Sequence, residues 1–499
     1  MNKLLIAALG VAFVTAAAPV ARAQKISSKS PAKAKTHKPA AKSMAGRAAA
    51  TTQLPPTAKE TPPPGSAPRD FALPAREDFT LPNGLKARLV PYGQVPKTTM
   101  MVAVQAGNVH EAASEINLAD LLGSLLKEGT TTLSGAQLAE KVARMGGALD
   151  VSVTADQTLI SGSCLSEYAP ELAALLAEVV QHPSLPAAEL PRLKADLKRQ
   201  MALSRAQPGT QARLKFRQAL YGSHPYGRPL PTDAQLDALT MEQVQHFYNT
   251  QYGARRTAVY VAGRFEAPAL RQAITMAWQN LPAGPAPLIA VAQPLTKADL
   301  LTQDRPSAPQ STLVVGLPVA DPTNPDYIRL RVTNSLLGGS FGSRITRNIR
   351  EDKGYTYSPY SYTETHYHAG AWSQNADVTT ADTYNSLHEI MKEIERLQQT
   401  PPSAEELQGI QNFESGMFVL RNSNPNGIIG QLNNLDLQGL PETFLTEQVK
   451  NINAVTPAQV SATARQYIRP EAMTVVVVGD QKVIAPQLKK FQAERKKAL

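Results

Sequence analysis

The feature that most constrains this chain is a repeat with a nearly constant offset. The segment LTMEQVQHFYNTQYGARRTAVYVAGRF (Leu239–Phe265) is echoed by VTPAQVSATARQYIRPEAMTVVVVGDQ (Val455–Gln481). Thr240 and Thr456 stand 216 positions apart, as do Gly263 and Gly479, Tyr168 and Tyr384, Pro186 and Pro402, Ala188 and Ala404, and Glu189 and Glu405. One offset held across so many positions marks a duplicated structural unit rather than a chance likeness of two helical stretches. Each copy opens on strands, Leu85–Val90 and Thr99–Ala106 in the first and Thr312–Leu317 in the second, and continues with an apolar helix near Leu118–Lys127 or Leu330–Leu337. Alternating strands follow at Leu149–Val153 and Thr158–Cys164, then helices at Pro170–Gln181 and Ala187–Ala206, a helix opening at Thr240 and a last strand at Thr257–Ala262. This order predicts an α+β fold of two homologous domains, each a β-sheet covered by helices, with the crevice between them as a candidate binding site. The predicted domains are 77–283 and 301–485, joined by a Pro-rich linker at 284–300 and followed by a basic tail at 486–499.

What precedes the repeat accounts for the chain's charge. MNKLLIAALGVAFVTAAAPVARA (Met1–Ala23) has a basic start at Lys3, an apolar stretch Leu4–Val14 and a small-x-small end at Ala21-Arg22-Ala23, the pattern of a secretory signal peptide. Pro19 and Arg22 interrupt it too early for a membrane anchor, and no later window is apolar enough to span a bilayer. Export to the periplasm or the medium is expected. Residues 24–76 are rich in Ala, Pro, Lys, Ser and Thr and poor in large apolar side chains, so they are predicted to be a disordered tether. The formal charge of +10 belongs to these two segments: the tether has ten basic residues against two acids, and the signal adds Lys3 and Arg22. The body is therefore neutral, which argues against nucleic acid as a partner.

Few residues in the body carry chemistry on their own. The single Cys excludes a disulfide framework within the chain, and Cys164 on an alternating strand reads as a small buried hydrophobe. Gly-x-Gly-x-x-Gly is absent. None of the eight His residues forms a His-x-x-Glu-His or His-Glu-x-x-His pattern. His366 and His368 are expected to share one face of a strand, where they could meet a metal, or else face solvent. His388-Glu389 has no second His four positions on.

The stretch GGSFGSRITRNIREDKGYTYSPYS (Gly338–Ser361) resembles the C-terminal signature of the pitrilysin/insulinase-type zinc metallopeptidases, and HPYGRP (His224–Pro229) is similar to their N-terminal one. The resemblance runs in order from about Phe79 to Asp480. In that family zinc sits on the first helix in a His-x-x-Glu-His pattern, with a further Glu from a later helix. Residues at i and i+4 share a helix face, so two imidazoles reach one ion while the intervening Glu acts as base on its water. In NLADLLGSLLKEGT (Asn117–Thr130) the two His and the Glu become Asp120, Ser124 and Gly123, and the distal Glu falls at Lys198-Arg199-Gln200, whose positive charge disfavours a dication. No metal is therefore expected in this chain.

Arg350 and Tyr357, seven positions apart, match an Arg/Tyr pair that in peptide-cutting relatives contacts the substrate backbone near the scissile bond. Tyr355 competes for the tyrosine role, and Arg350 could instead join a surface network with Glu351 and Asp352. Lost ligands with a retained pair resemble a non-catalytic subunit of a heterodimeric zinc endopeptidase. A sister subunit would supply zinc and this chain would contact an unfolded peptide, although the same surface could make a homodimer. The alternative the resemblance implies is an exported structural scaffold or peptide-binding protein of the same fold, with no reaction to assist.

Overall fold

Strands with alternating large apolar residues build two sheets, each followed by its own set of helices. The computed structural model describes residues 71–498, so the signal peptide expected at 1–23 and the tether up to residue 70 lie outside the described residues. The first half runs β1 (Glu77–Thr80), β2 (Lys86–Pro91), β3 (Lys97–Val104), α1 (Leu118–Leu125), α2 (Gly135–Arg144), β4 (Leu149–Val153) and β5 (Thr158–Leu165). It continues with α3 (Ala169–Gln181), α4 (Leu190–Ala206), α5 (Pro208–Tyr221), α6 (Asp233–Ala238), α7 (Met241–Gln251), β6 (Thr257–Gly263) and α8 (Ala267–Trp278). The second half runs β7 (Leu300–Asp304), β8 (Gln310–Val319), α9 (Tyr327–Asn334), α10 (Arg344–Thr346), β9 (Tyr360–His366), β10 (Ala369–Thr379), α11 (Thr383–Gln399) and α12 (Ala404–Arg421). It ends with α13 (Pro425–Gln438), α14 (Thr443–Thr446), α15 (Gln448–Asn453), α16 (Pro457–Tyr467), β11 (Thr474–Gly479) and α17 (Gln481–Ala498).

The strand orders, β1-β2-β6-β3-β5-β4 and β7-β11-β8-β10-β9, are the same pattern with one added edge strand in the first half. In each, the last strand inserts between two earlier ones, β6 between β2 and β3 and β11 between β7 and β8, parallel to the former of each pair and antiparallel to the latter. The matched positions of the repeat have structural jobs. Thr240 and Thr456 cap α7 and α16, each accepting from a Gln amide three residues on whose side chain returns the bond. Gly263 and Gly479 end the inserted strands. A Cβ on Gly263 would collide with the Lys97 carbonyl, and one on Gly479 would lie 2.7 Å from Ser311 Oγ.

The central strands are apolar on both faces because both faces are covered. Met100, Val102, Val104, Val259 and Val261 pack under the first half's own helices, and Leu313, Val315, Val475 and Val477 pack under the second's. The opposite faces are covered by an exchange of helices. α5 of the first half lays Ala212, Phe216 and Leu220 on Val314, Val476 and Val478 of the second sheet. In return α13 lays Ile428, Leu432 and Leu435 on Met101, Ala103 and Tyr260 of the first.

Polar contacts lock the same junction. Arg217 on α5 forms a two-pronged ion pair with Glu364 on β9, and Gln157 and Asn433 exchange amide hydrogen bonds at 2.9 and 3.1 Å. Tyr226, within the HPYGRP stretch, stacks on His366 at 4.1 Å between ring centres and donates to Asp156. His224 of that stretch lies 3.0 Å from the Ala290 carbonyl in the linker.

Three expectations change. The tail expected at 486–499 is instead the continuation of α17, whose Ile484, Leu488 and Phe491 are buried in the second core. Its basic residues read as a tail only because the apolar stripe between them is narrow. The tether boundary moves back, since Phe71 meets Phe418 edge-on and Arg76 pairs with Asp78 and Glu442. The helix expected at Ala187–Ala206 begins with a single tight turn at Ala187–Glu189 before α4.

Candidate functional site

The helix that would bear zinc, α1, starts at Asn117, which adopts a left-handed backbone (φ 69°). Ahead of it, Asn108 and Glu111 build a polar cluster that no sequence motif signals. The Glu111 carboxylate accepts from Asn108 Nδ2 at 3.0 Å, from the Asn117 amide at 3.0 Å and from the Ala119 amide at 2.9 Å, which also satisfies amides of the first helical turn. Burial pushes its pKa up to about 7 despite these bonds, with the Asp120 charge adding to the rise. Asp120 Oδ2 accepts from Asn108 Nδ2 at 2.7 Å and from Asn117 Nδ2 at 2.9 Å, and burial raises its pKa too. His110 packs beside this loop with its Nε2 buried and without a partner among the described residues. Burial and the Arg256 charge bring its pKa down to about 4, so it is a neutral imidazole.

These residues do not fit a zinc ion. Asp120 is engaged by two side-chain amides, and the Ser124 hydroxyl donates to the Asp120 carbonyl at 2.9 Å. Gly123 has no side chain, and a Cβ there would lie 2.9 Å from Val153 Cγ2 on β4. Among the described residues no three His, Cys, Asp or Glu side chains converge as a metal site. Lys198 and Arg199 are neutralised locally rather than presented as free charge: Lys198 pairs with Asp237 at 2.6 Å and Arg199 pairs with Asp196.

The second half holds the Arg/Tyr pair on a firm mount. After α10 the helix widens into a π turn over Arg347–Asp352, in which the Lys353 amide bonds the Asn348 carbonyl at 3.2 Å. Asn348 ties this turn to α11 by donating to Glu389 at 2.9 Å and Glu393 at 2.8 Å, while Ile349 is fully buried. Gly354 reverses the chain with φ 65°. Thr356 then bridges to Val378 and donates to the Asp377 carbonyl at 2.7 Å. Between these anchors the Arg350 guanidinium lies 4.3 Å from the Phe341 ring centre and 5.3 Å from that of Tyr357. Arg350 makes no ion pair with Glu351 or Asp352, and Tyr357 is 80% exposed. Tyr355 is partly buried against the second core. The mouth of this site is a cavity of about 300 Å³ that also includes Phe341, Pro359 and Tyr360. Phe341 was not singled out from the sequence; its position inside a Gly-rich stretch is the signal that could have marked it.

The other candidates separate. His366 is buried and lies 3.5 Å from Glu364, whereas His368 falls in the turn after β9 with φ 48°, so the two do not share a strand face. The turn begins at Tyr367, two residues earlier than the alternation suggests. Cys164 is fully buried, and burial pushes its thiol up to about 11. His388 bonds Glu494 on α17 at 2.6 Å.

A family model described as insulinase (peptidase family M16) matches residues 92–233, and one described as peptidase M16 inactive domain matches residues 238–413. Together they span more than half of the chain. This chain belongs to peptidase family M16. A relative named as an uncharacterized zinc protease in Bacillus subtilis is 24% identical over 390 residues, covering 78% of this chain and 94% of its own. The solved peptidase M16 inactive domain from Pseudomonas fluorescens superposes with a TM-score of 0.75 at 24% identity, covering 81% of this chain and 98% of that one. A protease structure from Helicobacter pylori gives a TM-score of 0.76 at 18% identity, covering 82% and 100%. The segment that carries Arg350 and Tyr357 falls within the match to the inactive-domain model, and α1 within the match to the insulinase one.

Proposed function

We propose that this chain is the non-catalytic, substrate-binding subunit of an exported, heterodimeric zinc endopeptidase, periplasmic or secreted. The reading rests on one observation: a helix unable to bind zinc coexists with a firmly mounted, half-buried Arg350 beside an exposed Tyr357. A guanidinium and a phenol both donate hydrogen bonds, and both suit a peptide carbonyl on which negative charge develops. A sister M16 subunit carrying His-x-x-Glu-His supplies zinc and base, and this chain supplies contacts along an unfolded peptide.

The test is kinetic. In the mixed complex, Arg350→Ala is expected to lower kcat by about 10² or more, the usual effect of removing one oxyanion donor. Equal turnover in the variant refutes the role of Arg350. A mixed complex that forms and cuts no peptide would assign the chain to the scaffold class instead.

A further inference from the structure

A cavity of about 490 Å³ lies where the two halves meet, and its lining is cationic. The first half contributes Lys86, Arg255 and Arg256, and the second contributes His368, Asp436 and Gln438. Arg256 is only 7% exposed. Its Nη1 donates to the Gln105 carbonyl at 3.1 Å and to Gln251 Oε1 at 2.8 Å, and its Nη2 donates to the Ala286 carbonyl at 3.4 Å, all neutral oxygens. Its Nε–H is buried and meets no acceptor among the described residues. Burial lowers the pKa of this guanidinium, and no counter-charge raises it. Asp436, the carboxylate on the cavity wall, is already held by Arg88 Nε at 3.0 Å and the Tyr260 hydroxyl at 2.7 Å.

A buried cation without a counter-ion is costly to hold, so a ligand that brings negative charge gains by pairing with it. The opposite wall is held in an unusual shape. His368 has a left-handed backbone, uncommon outside glycine, and its amide donates to Gln438 Oε1 at 3.4 Å while Gln438 Nε2 donates to the His366 carbonyl at 3.2 Å. We propose that this cavity binds an oxyanion, the phosphate or carboxylate group of a small solute, held by Arg256, Arg255 and Lys86 of the first half at its junction with the second. The cavity volume lies in the range of small-molecule sites, which leaves room for the rest of such a solute beside the anionic group.

Calorimetric titration of the whole chain tests this, with inorganic phosphate and with succinate as probes and chloride holding the ionic strength constant. One saturable site per chain is expected. Tighter phosphate assigns a phosphoester ligand and tighter succinate a carboxylate, and either result supports the site. Lys86→Ala combined with Arg255→Ala alters two exposed side chains, so the fold should persist by circular dichroism while affinity drops about tenfold or more. Arg256→Gln is expected to abolish binding, and if that variant fails to fold the double variant decides. No saturable heat with either probe, or unchanged affinity in the double variant, overturns the proposal.

Discussion

Replacing Glu111 with Gln isolates the pH sensitivity of the loop that leads into α1. Burial holds the Glu111 carboxyl at about 7 in the folded chain against an ordinary 4.5. Between those values the folded chain binds more protons than the unfolded one, so this group's contribution to stability is fully present below pH 4.5 and is lost as pH rises to about 7. At about 1.4 kcal/mol per pH unit the loss amounts to about 3 kcal/mol. E111Q removes the titration but leaves a mismatch. One carboxylate oxygen accepts from Asn108 and Ala119 and the other from the Asn117 amide, so the Gln NH2 must face a donor. That mismatch costs about 1–3 kcal/mol at every pH. Urea unfolding of both proteins from pH 4.5 to 8 measures the difference. The advantage of the native chain over E111Q should be largest at the acid end and shrink by about 3 kcal/mol towards pH 8, while Asp120 contributes to both proteins. Parallel curves, or an advantage that grows with pH, would refute the burial argument.

Glu364→Gln breaks the ion pair with Arg217 between the halves, which is partly open to solvent, and is expected to destabilise the chain by about 1–3 kcal/mol in urea unfolding. Arg217 and His366 hold the Glu364 pKa down at about 2, so the native pair contributes its stability above pH 4.5 and loses it as pH falls towards 2. Phe491→Ala should cost about 3–5 kcal/mol if α17 is part of the core, whereas a dispensable tail would show no change in the unfolding midpoint. Tyr357→Phe is expected to lower kcat in the mixed complex with unchanged stability, while Tyr355→Phe should leave kcat within about twofold of the parent.

The duplication was legible because its matched positions do structural work. The capping Thr240 and Thr456, and the crowded Gly263 and Gly479, tolerate few substitutes, so they stay visible at a fixed offset. The exchange of α5 and α13 was not legible. An apolar stripe such as Ala212, Phe216 and Leu220 states that a helix face is buried, and nothing in its period states which sheet covers it. At the site, Arg350 and Tyr357 could be singled out by the family resemblance, and the exposure of Tyr357 separates it from Tyr355 only in three dimensions. Glu111 and Asn108 escaped notice because they act from a loop, through hydrogen bonds to amides of α1 that leave no spacing pattern. His368 was misplaced because alternation alone does not show where a strand stops and its turn begins.

Under the proposed function, this chain completes a peptidase that it cannot be by itself. Cleavage of an unfolded peptide should therefore be measured for the chain alone, for the sister M16 subunit alone and for their mixture, with zinc quantified in each purified subunit. Stoichiometric zinc is expected in the sister, none in this chain, and turnover only in the mixture. Zinc and turnover in the isolated chain, or full turnover by the sister without it, would refute the proposed function.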